Sequence, residues 1–238
     1  MRELIIAEFQ KIKRMKMTYI AYIGVLFGII VSSVQLRTQI NKVTFEQLAN
    51  MTVYNNVVLI LPFSLTLISG YIIDREYVQN TQKNLLIIPI HWGNIIKAKI
   101  AVMFSLSLWI GLFSSVLLIL TGLILNCSQI TITIILKAVI SNFISHICVL
   151  IGTLPIILWF SKSRGKYIWG ATFSLVLGIS GVFVANGKIV NWHPITTCFS
   201  VVHCSIVNTS ILSVPYSCFA IVVYLFLSMF IYSAVYKK

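Results

Sequence analysis

The chain has 238 residues, is 58% hydrophobic and only 10% charged, and carries a formal net charge of +13. Soluble domains hold roughly 25% charged residues, so this composition excludes a water-facing fold, and the period-2 alternation of a transmembrane barrel is absent. A helix crossing the ~30 Å hydrocarbon core needs about 20 mainly apolar residues. Six segments qualify, at 17–36, 53–73, 98–125, 131–160, 167–185 and 214–236. The fold class read from them is all-α, a polytopic membrane protein with six transmembrane helices in one membrane domain spanning 1–238.

The placement of the basic residues sets an expected orientation. Arg2, Lys11, Lys13, Arg14, Lys16, Arg75, Lys83, Lys97, Lys99, Lys162, Arg164, Lys166, Lys237 and Lys238 fall in the segments on one side, and only Arg37, Lys42, Lys137 and Lys188 on the other. Fourteen against four is a positive-inside bias that places both termini in the cytoplasm, as an even number of crossings requires. The basic excess is then explained by topology and lipid headgroups, with no nucleic acid partner needed. The first apolar run follows sixteen residues that include Glu3 and Glu8, and no small-x-small site follows it, so no cleavable leader is expected.

In residues 1–16, Leu4, Ile5, Phe9, Ile12 and Met15 share a helical face, with Lys11, Lys13, Arg14 and Lys16 beside or opposite it. That pattern predicts an interfacial helix anchored to anionic membrane lipid through those four basic residues. A polar outer loop at 37–52 separates the first two spans, and Pro62 and Gly70 lie in the second. The connection from Ile72 to Ile100 is longer than a joining loop needs to be. It carries Asp74, Arg75 and Glu76, then an apolar stripe at Tyr77, Thr81, Leu85 and Ile88, and Pro89 as a stop. The expectation is a short amphipathic helix at the inner surface, beginning at Asp74, whose acidic first turn suits the helix dipole and whose face is offered to a cytoplasmic partner.

The fourth span is broken, on this reading, at Gly152 and Pro155, and carries Lys137 near its outer end, where the side chain can snorkel, and His146 near its middle. A histidine at that depth faces other protein or a water-filled cavity, so His146 is either an interhelical hydrogen-bonding residue or part of a transport path. The fifth span holds Gly170, Gly178 and Gly181, which suit close helix packing. Residues 186–213 are too apolar for a water-exposed loop and too interrupted by polar residues and Pro194 to cross, and read as a re-entrant or interfacial hairpin over the outer face. Tyr232, Tyr236, Lys237 and Lys238 anchor the sixth span at the inner surface.

Chemistry-bearing motifs are few. No G-x-x-x-x-G-K-[ST] phosphate loop is present, and no carboxylate lies within the six segments to serve as a proton relay. His193, Cys198, His203 and Cys204 cluster in the outer hairpin, but their spacing matches no common zinc pattern. They are read as ordinary hairpin residues, with a Cys198–Cys204 disulfide as the alternative. Ser145 and His146 are helix neighbours that point to different faces, so no nucleophile and base are paired. An enzyme is not expected; no cofactor or metal is assigned to this chain.

The stretch E-F-Q-K-I-K-R at Glu8–Arg14, and the pattern D-R-E-Y-x₃-T-x-K-N-L-L-x₂-P-I-x₄-I-I-x-A-K from Asp74 to Lys99, sit in a layout of six spans with an apolar loop before the last. In these features the chain resembles ABC type-2 exporter permeases, and within them the small permease subunits of lantibiotic immunity transporters. The resemblance implies a second permease subunit, identical or related, and two ABC ATPase subunits that hold the ATP and Mg. It implies that Asp74, Arg75, Glu76, Tyr77, Thr81, Leu85 and Pro89 belong to a coupling helix entering a cleft of the ATPase. It also implies a bacterial cell membrane location and a cationic antimicrobial peptide as cargo. Export of another amphipathic drug, lipid or ion is the alternative, and a non-transporting sensor or assembly subunit is the alternative of another class.

Overall fold

The computed structural model describes residues 2–13, 15–39, 42–78 and 92–236. The chain order is α1 (Arg2–Lys13), α2 (Thr18–Gln39), α3 (Phe45–Asn55), α4 (Leu61–Val78), α5 (Trp92–Ile124), α6 (Ile132–Phe160), α7 (Tyr167–Val184), α8 (Thr197–Val202) and α9 (Val214–Tyr236). Among the described residues no strand forms beyond one bridge between Thr44 and Ser128, and six helices are long and apolar enough to cross a membrane. The all-α polytopic class is therefore what the chain adopts. We call the end carrying α1, the α4–α5 connection and the 161–166 turn the inner end, after its basic residues.

The second crossing starts earlier and runs further than its hydropathy suggests. Thr44 caps α3 through a capping box with Gln47, which satisfies two otherwise unpaired backbone donors. The helix passes through a π turn at Asn56–Ile60 directly into α4. Pro62 cannot donate to the carbonyl of Val58 four residues back, and the widened turn lies just ahead of it. A Cβ on Gly178 would collide with that same Val58 carbonyl oxygen, so the glycine is what allows α7 to lie directly on the backbone of the π turn. In a bilayer, where lipid is as apolar as leucine, such close backbone approach drives packing in place of the hydrophobic effect.

The second crossing, from α3 through α4, is the hub, 72% buried over its apolar window, against 33% for α2, 28% for α7 and 11% for α9. Those three helices present Ile23, Phe27, Phe173, Phe183, Phe226 and Phe230 outward, a surface that needs lipid or another apolar partner. The fourth crossing, α6, is not broken at Gly152 or Pro155: the helix is continuous from Ile132 to Phe160 with Pro155 inside it. Pro155 costs one intrahelical bond, and the neighbouring packing keeps the helix whole.

The 186–213 region is a folded hairpin made of a 3-10 turn at Lys188–Asn191 and α8. It plugs the space above the short α7. Val190, Ile195, Cys198, Phe199, Cys204 and Val207 are buried with the main core, and Phe199 stacks on Tyr54 at 5.3 Å. Its backbone turns are satisfied internally by Asn191, whose amide donates to Ile211 O at 2.9 Å and whose Oδ1 accepts from Ser213 N at 2.9 Å and from the Ser200 hydroxyl. Non-helical backbone at membrane depth is tolerated where protein buries and satisfies it in this way.

Candidate functional site

The densest polar constellation lies at the inner end, where α1, α4 and α5 meet. α1 turns Glu8 and Lys11 inward, the last turn of α4 supplies Glu76, and the second turn of α5 supplies Lys99. The Lys99 ammonium donates to Glu8 Oε2 at 2.9 Å and to the Ile72 carbonyl at 2.8 Å, and lies 3.0 Å from Glu76 Oε1. Lys11 bridges the same two carboxylates, reaching Glu76 Oε1 at 3.0 Å and bonding Glu8 Oε1. Two cations and two anions thus neutralise one another, and Lys99 is only 1% exposed. Burial alone would push the Glu8 carboxyl up, but the Lys99 charge and the hydrogen bonds from Lys11 and Lys99 outweigh it and hold the pKa below the ordinary 4.5. Burial likewise works against the Lys11 ammonium, and its bonds to Glu8 and Glu76 overcome that and raise its pKa above 10.5.

Asp74 fastens the other side of the same helix end. Its Oδ1 accepts the Gly165 N–H at 2.8 Å, and Gly165 holds φ +74 in the turn between α6 and α7. That left-handed conformation is natural for glycine and is what aims the amide at the carboxylate. Arg75 leans toward the end of α1, its Nη1 3.5 Å from Lys11 O. The inner ends of α1, α4, α5 and the α6–α7 turn are therefore tied into one unit around the point where the chain leaves α4.

These contacts correct part of the sequence reading. Asp74, Arg75 and Glu76 do not open a separate helix: they form the end of α4, with Asp74 1% and Glu76 4% exposed. Carboxylates in a last helical turn oppose the dipole, and the Lys11 and Lys99 ammoniums and the Gly165 amide offset that cost. Tyr77 continues α4 in its backbone, while its side chain, and Thr81, Leu85 and Pro89 altogether, lie outside the described residues. Lys11, expected at lipid headgroups, is half-buried in the ion cluster; Lys16 is exposed, and the Lys13 side chain and Arg14 lie outside the described residues. On α1 the inward face is Leu4, Ile5, Glu8, Ile12 and Met15, and Phe9 turns outward at 38% exposure. Sequence reasoning missed Glu8 and Lys99 as a pair. The available signal was a lysine two turns into an apolar helix, which must find a carboxylate to be buried.

His146 is fully buried at the α5–α6 contact, its ring against Gly111. Its Nδ1 donates to Asn142 O at 2.8 Å, and Ser107 Oγ donates across to His146 O at 3.0 Å. The residue packs between helices and does not line the inner groove between α5, α6 and α9. In the outer hairpin, Cys198 and Cys204 are separate buried thiols donating to Ile195 O at 3.3 Å and Asn50 O at 3.7 Å. Among the described residues no three His, Cys, Asp or Glu side chains are grouped to hold a metal. Lys137, at the outer end of α6, pairs with Glu46 at 2.7 Å on the surface, a contact worth little on its own.

The family model described as ABC-2 family transporter protein matches residues 4–181, from α1 through nearly all of α7. The chain belongs to the ABC-2 transporter family. It is the multi-pass membrane permease component of an ABC transporter, a type of subunit that works with an ABC ATPase. No curated protein and no solved structure shows significant similarity to it. The match covers the whole ion cluster, so Glu8, Lys11, Glu76 and Lys99 sit within the family's part of this permease.

Proposed function

We propose that this permease is the membrane-spanning half of an ATP-driven exporter that expels a lantibiotic or similar cationic, membrane-active peptide from the bacterial membrane. In this reading ATP hydrolysis takes place on separate ATPase subunits, and a second permease, identical or related, completes the transport path. The segment from Asp74 to Pro89 is the element that the ATPases grip, with both termini on the same, cytoplasmic side.

The observation that carries the mechanism is the four-residue ion cluster beside that segment. A push on the residues following α4 reaches Glu76, and through Lys99 and Lys11 it reaches α5 and α1 together. On the opposite flank Asp74 passes the same displacement to the α6–α7 turn. A cluster of buried, mutually satisfied charges moves as a unit, because separating one member strands an uncompensated charge. Closure of the ATPases would thereby be delivered to four crossings through one contact. The peptide cargo rests on the motif likeness at Glu8–Arg14 and Asp74–Lys99.

The test replaces Thr81 by proline in the full chain, co-expresses the ATPase, and measures both detergent pull-down of the ATPase and survival against the peptide. Reduced docking and lost protection, at unchanged levels of membrane-inserted permease, are expected. Normal docking would remove the coupling assignment, and normal docking with no peptide phenotype even in the deletion strain would remove the cargo.

A further inference from the structure

We infer that the groove between α5, α6 and α9 at the inner end is a binding site for a phospholipid with an anionic headgroup, held by Lys97. The groove encloses about 860 Å³, inside the range of ~300–1,000 Å³ typical of small-molecule sites. Residues of all three helices line it.

The lining is sorted by depth along the helices. Gly93, Asn94 and Lys97 of α5 and Tyr232, Ser233 and Tyr236 of α9 surround the inner mouth. Leu158 of α6 lies level with that mouth, its carbonyl accepting the Tyr236 hydroxyl at 3.0 Å. Further in the walls are Ile100, Phe104, Leu154, Leu225 and Met229, with the Ser228 hydroxyl turned back onto Tyr224 O at 2.7 Å. From Lys97 to Phe104 the helix rises about 10 Å, at 1.5 Å per residue, so a chain of methylenes can lie along the apolar walls while its head stays at the mouth. A polar ring at the surface end and an apolar slot reaching toward the bilayer middle is the profile of a lipid.

Charge decides which lipid. No aspartate or glutamate lines the groove, and among the described residues Lys97 has no carboxylate within ion-pair distance, whereas Lys99, two residues on, is held by two. The Lys97 ammonium lies 5.8 Å from the centre of the Tyr232 ring, a cation–π position that keeps the charge at the mouth. The tyrosine hydroxyl comes so close to Gly93 that a Cβ there would lie 2.5 Å from it, so the missing side chain is what lets Tyr232 reach across the mouth to α5. The start of α5 adds the positive end of a helix dipole on the same side. A cationic peptide would meet repulsion here, so this groove is separate from the cargo path proposed above and does not depend on that proposal.

The test places the photo-crosslinking residue benzoylphenylalanine at Leu225 of the full chain, in nanodiscs of phosphatidylcholine carrying a trace of radiolabelled phosphatidylglycerol or, in parallel, radiolabelled phosphatidylcholine. Phosphatidylglycerol should be captured preferentially, on the order of five-fold, which is what one lysine at an anionic headgroup supplies. Lys97→Gln should erase that preference while leaving phosphatidylcholine capture unchanged, Lys97→Arg should keep it, and Ile100→Trp, which fills the slot, should reduce capture of both lipids. Equal capture of the two lipids by the unaltered chain would overturn the inference. So would a protein–protein adduct, showing that a second copy covers the groove, or an adduct within the chain to residues 79–91, showing that its own connection fills it.

Discussion

Lys99 is almost wholly removed from solvent and touches two carboxylates and a carbonyl at once. Replacing it with methionine, which keeps the volume, removes from Glu8 and Glu76 the more deeply buried of the two ammoniums they share. Breaking a buried ion network by removing one partner costs about 3–5 kcal/mol, so Lys99→Met should lower the melting temperature in detergent far more than Lys97→Met, which lies on the opposite side of the same helix. Glu76→Lys belongs with it: a third positive charge beside Lys11 and Lys99 should destabilise the inner end, where a surface position would have tolerated it. The same network sets a pH dependence. Glu8 has a lowered pKa in the folded protein, so its contribution is complete above the ordinary 4.5 and is lost as pH falls through the folded value. Lys11 has a raised pKa, so its contribution is complete below 10.5 and is lost only as pH rises through its folded value. Melting temperature should therefore be flat through neutral pH and fall below about pH 4.5, and Glu8→Gln should melt lower at neutral pH and show a weaker acid decline.

At the scale of elements, the outer hairpin and α6 meet through one glycine. A Cβ on Gly152 would collide with the carbonyl oxygen of Pro194, and backbone on backbone leaves no rotamer to move aside. Gly152→Ala should cost about 1–3 kcal/mol as overpacking, seen as a lower melting temperature, with the hairpin displaced from α6. Displacement has its own readout, because adjacent residues of the hairpin differ in access: Ile206 is 39% exposed and Val207 2%. In a background without other cysteines, a thiol at 206 should react with a maleimide and one at 207 should not, and Gly152→Ala should open 207. Equal labelling at both positions in the unaltered protein would mean that the hairpin is an ordinary loop. α4 shows the complementary case of an element extended by its surroundings. Its acidic last turn would fray in isolation, and it persists because Lys11, Lys99 and Gly165 meet the carboxylates.

For the whole molecule, the buried hub and the peripheral helices have different jobs. The crossings at α3–α4 and α6 are the most buried, whereas α2, α7 and α9 turn large apolar side chains outward, leaving ample surface for lipid and for the second permease of the proposed assembly. The basic residues predict an orientation, and it is directly measurable. Single cysteines at 163, between α6 and α7, should react with a membrane-impermeant maleimide only after the cell is opened. Single cysteines at 42 and 188 should react in intact cells. The reverse pattern would invert the proposed placement of the coupling segment and place it out of reach of any ATPase.

Class and crossing number were legible in the sequence because they depend on bulk hydropathy, which is local: a run of some 20 apolar residues must leave water whatever its neighbours do. The ABC-2 likeness was legible for a related reason, since the Glu8–Arg14 and Asp74–Lys99 patterns lie close along the chain, and the family match spans both. That 186–213 is no ordinary exposed loop could also be read from composition, and its folded hairpin buries Val190, Ile195 and Phe199 with the main core. Helix ends could not. Asp74 and Glu76 look like the start signals of a new helix, because acidic residues favour first turns, and only partners distant in the chain, Glu76 with Lys11 and Lys99 and Asp74 with Gly165, reverse that preference. The unbroken α6 and the π turn before Pro62 are likewise decided by packing against other helices. The groove at Lys97 is lined jointly by α5, α6 and α9, and no helix's own sequence records how far it stands from the others.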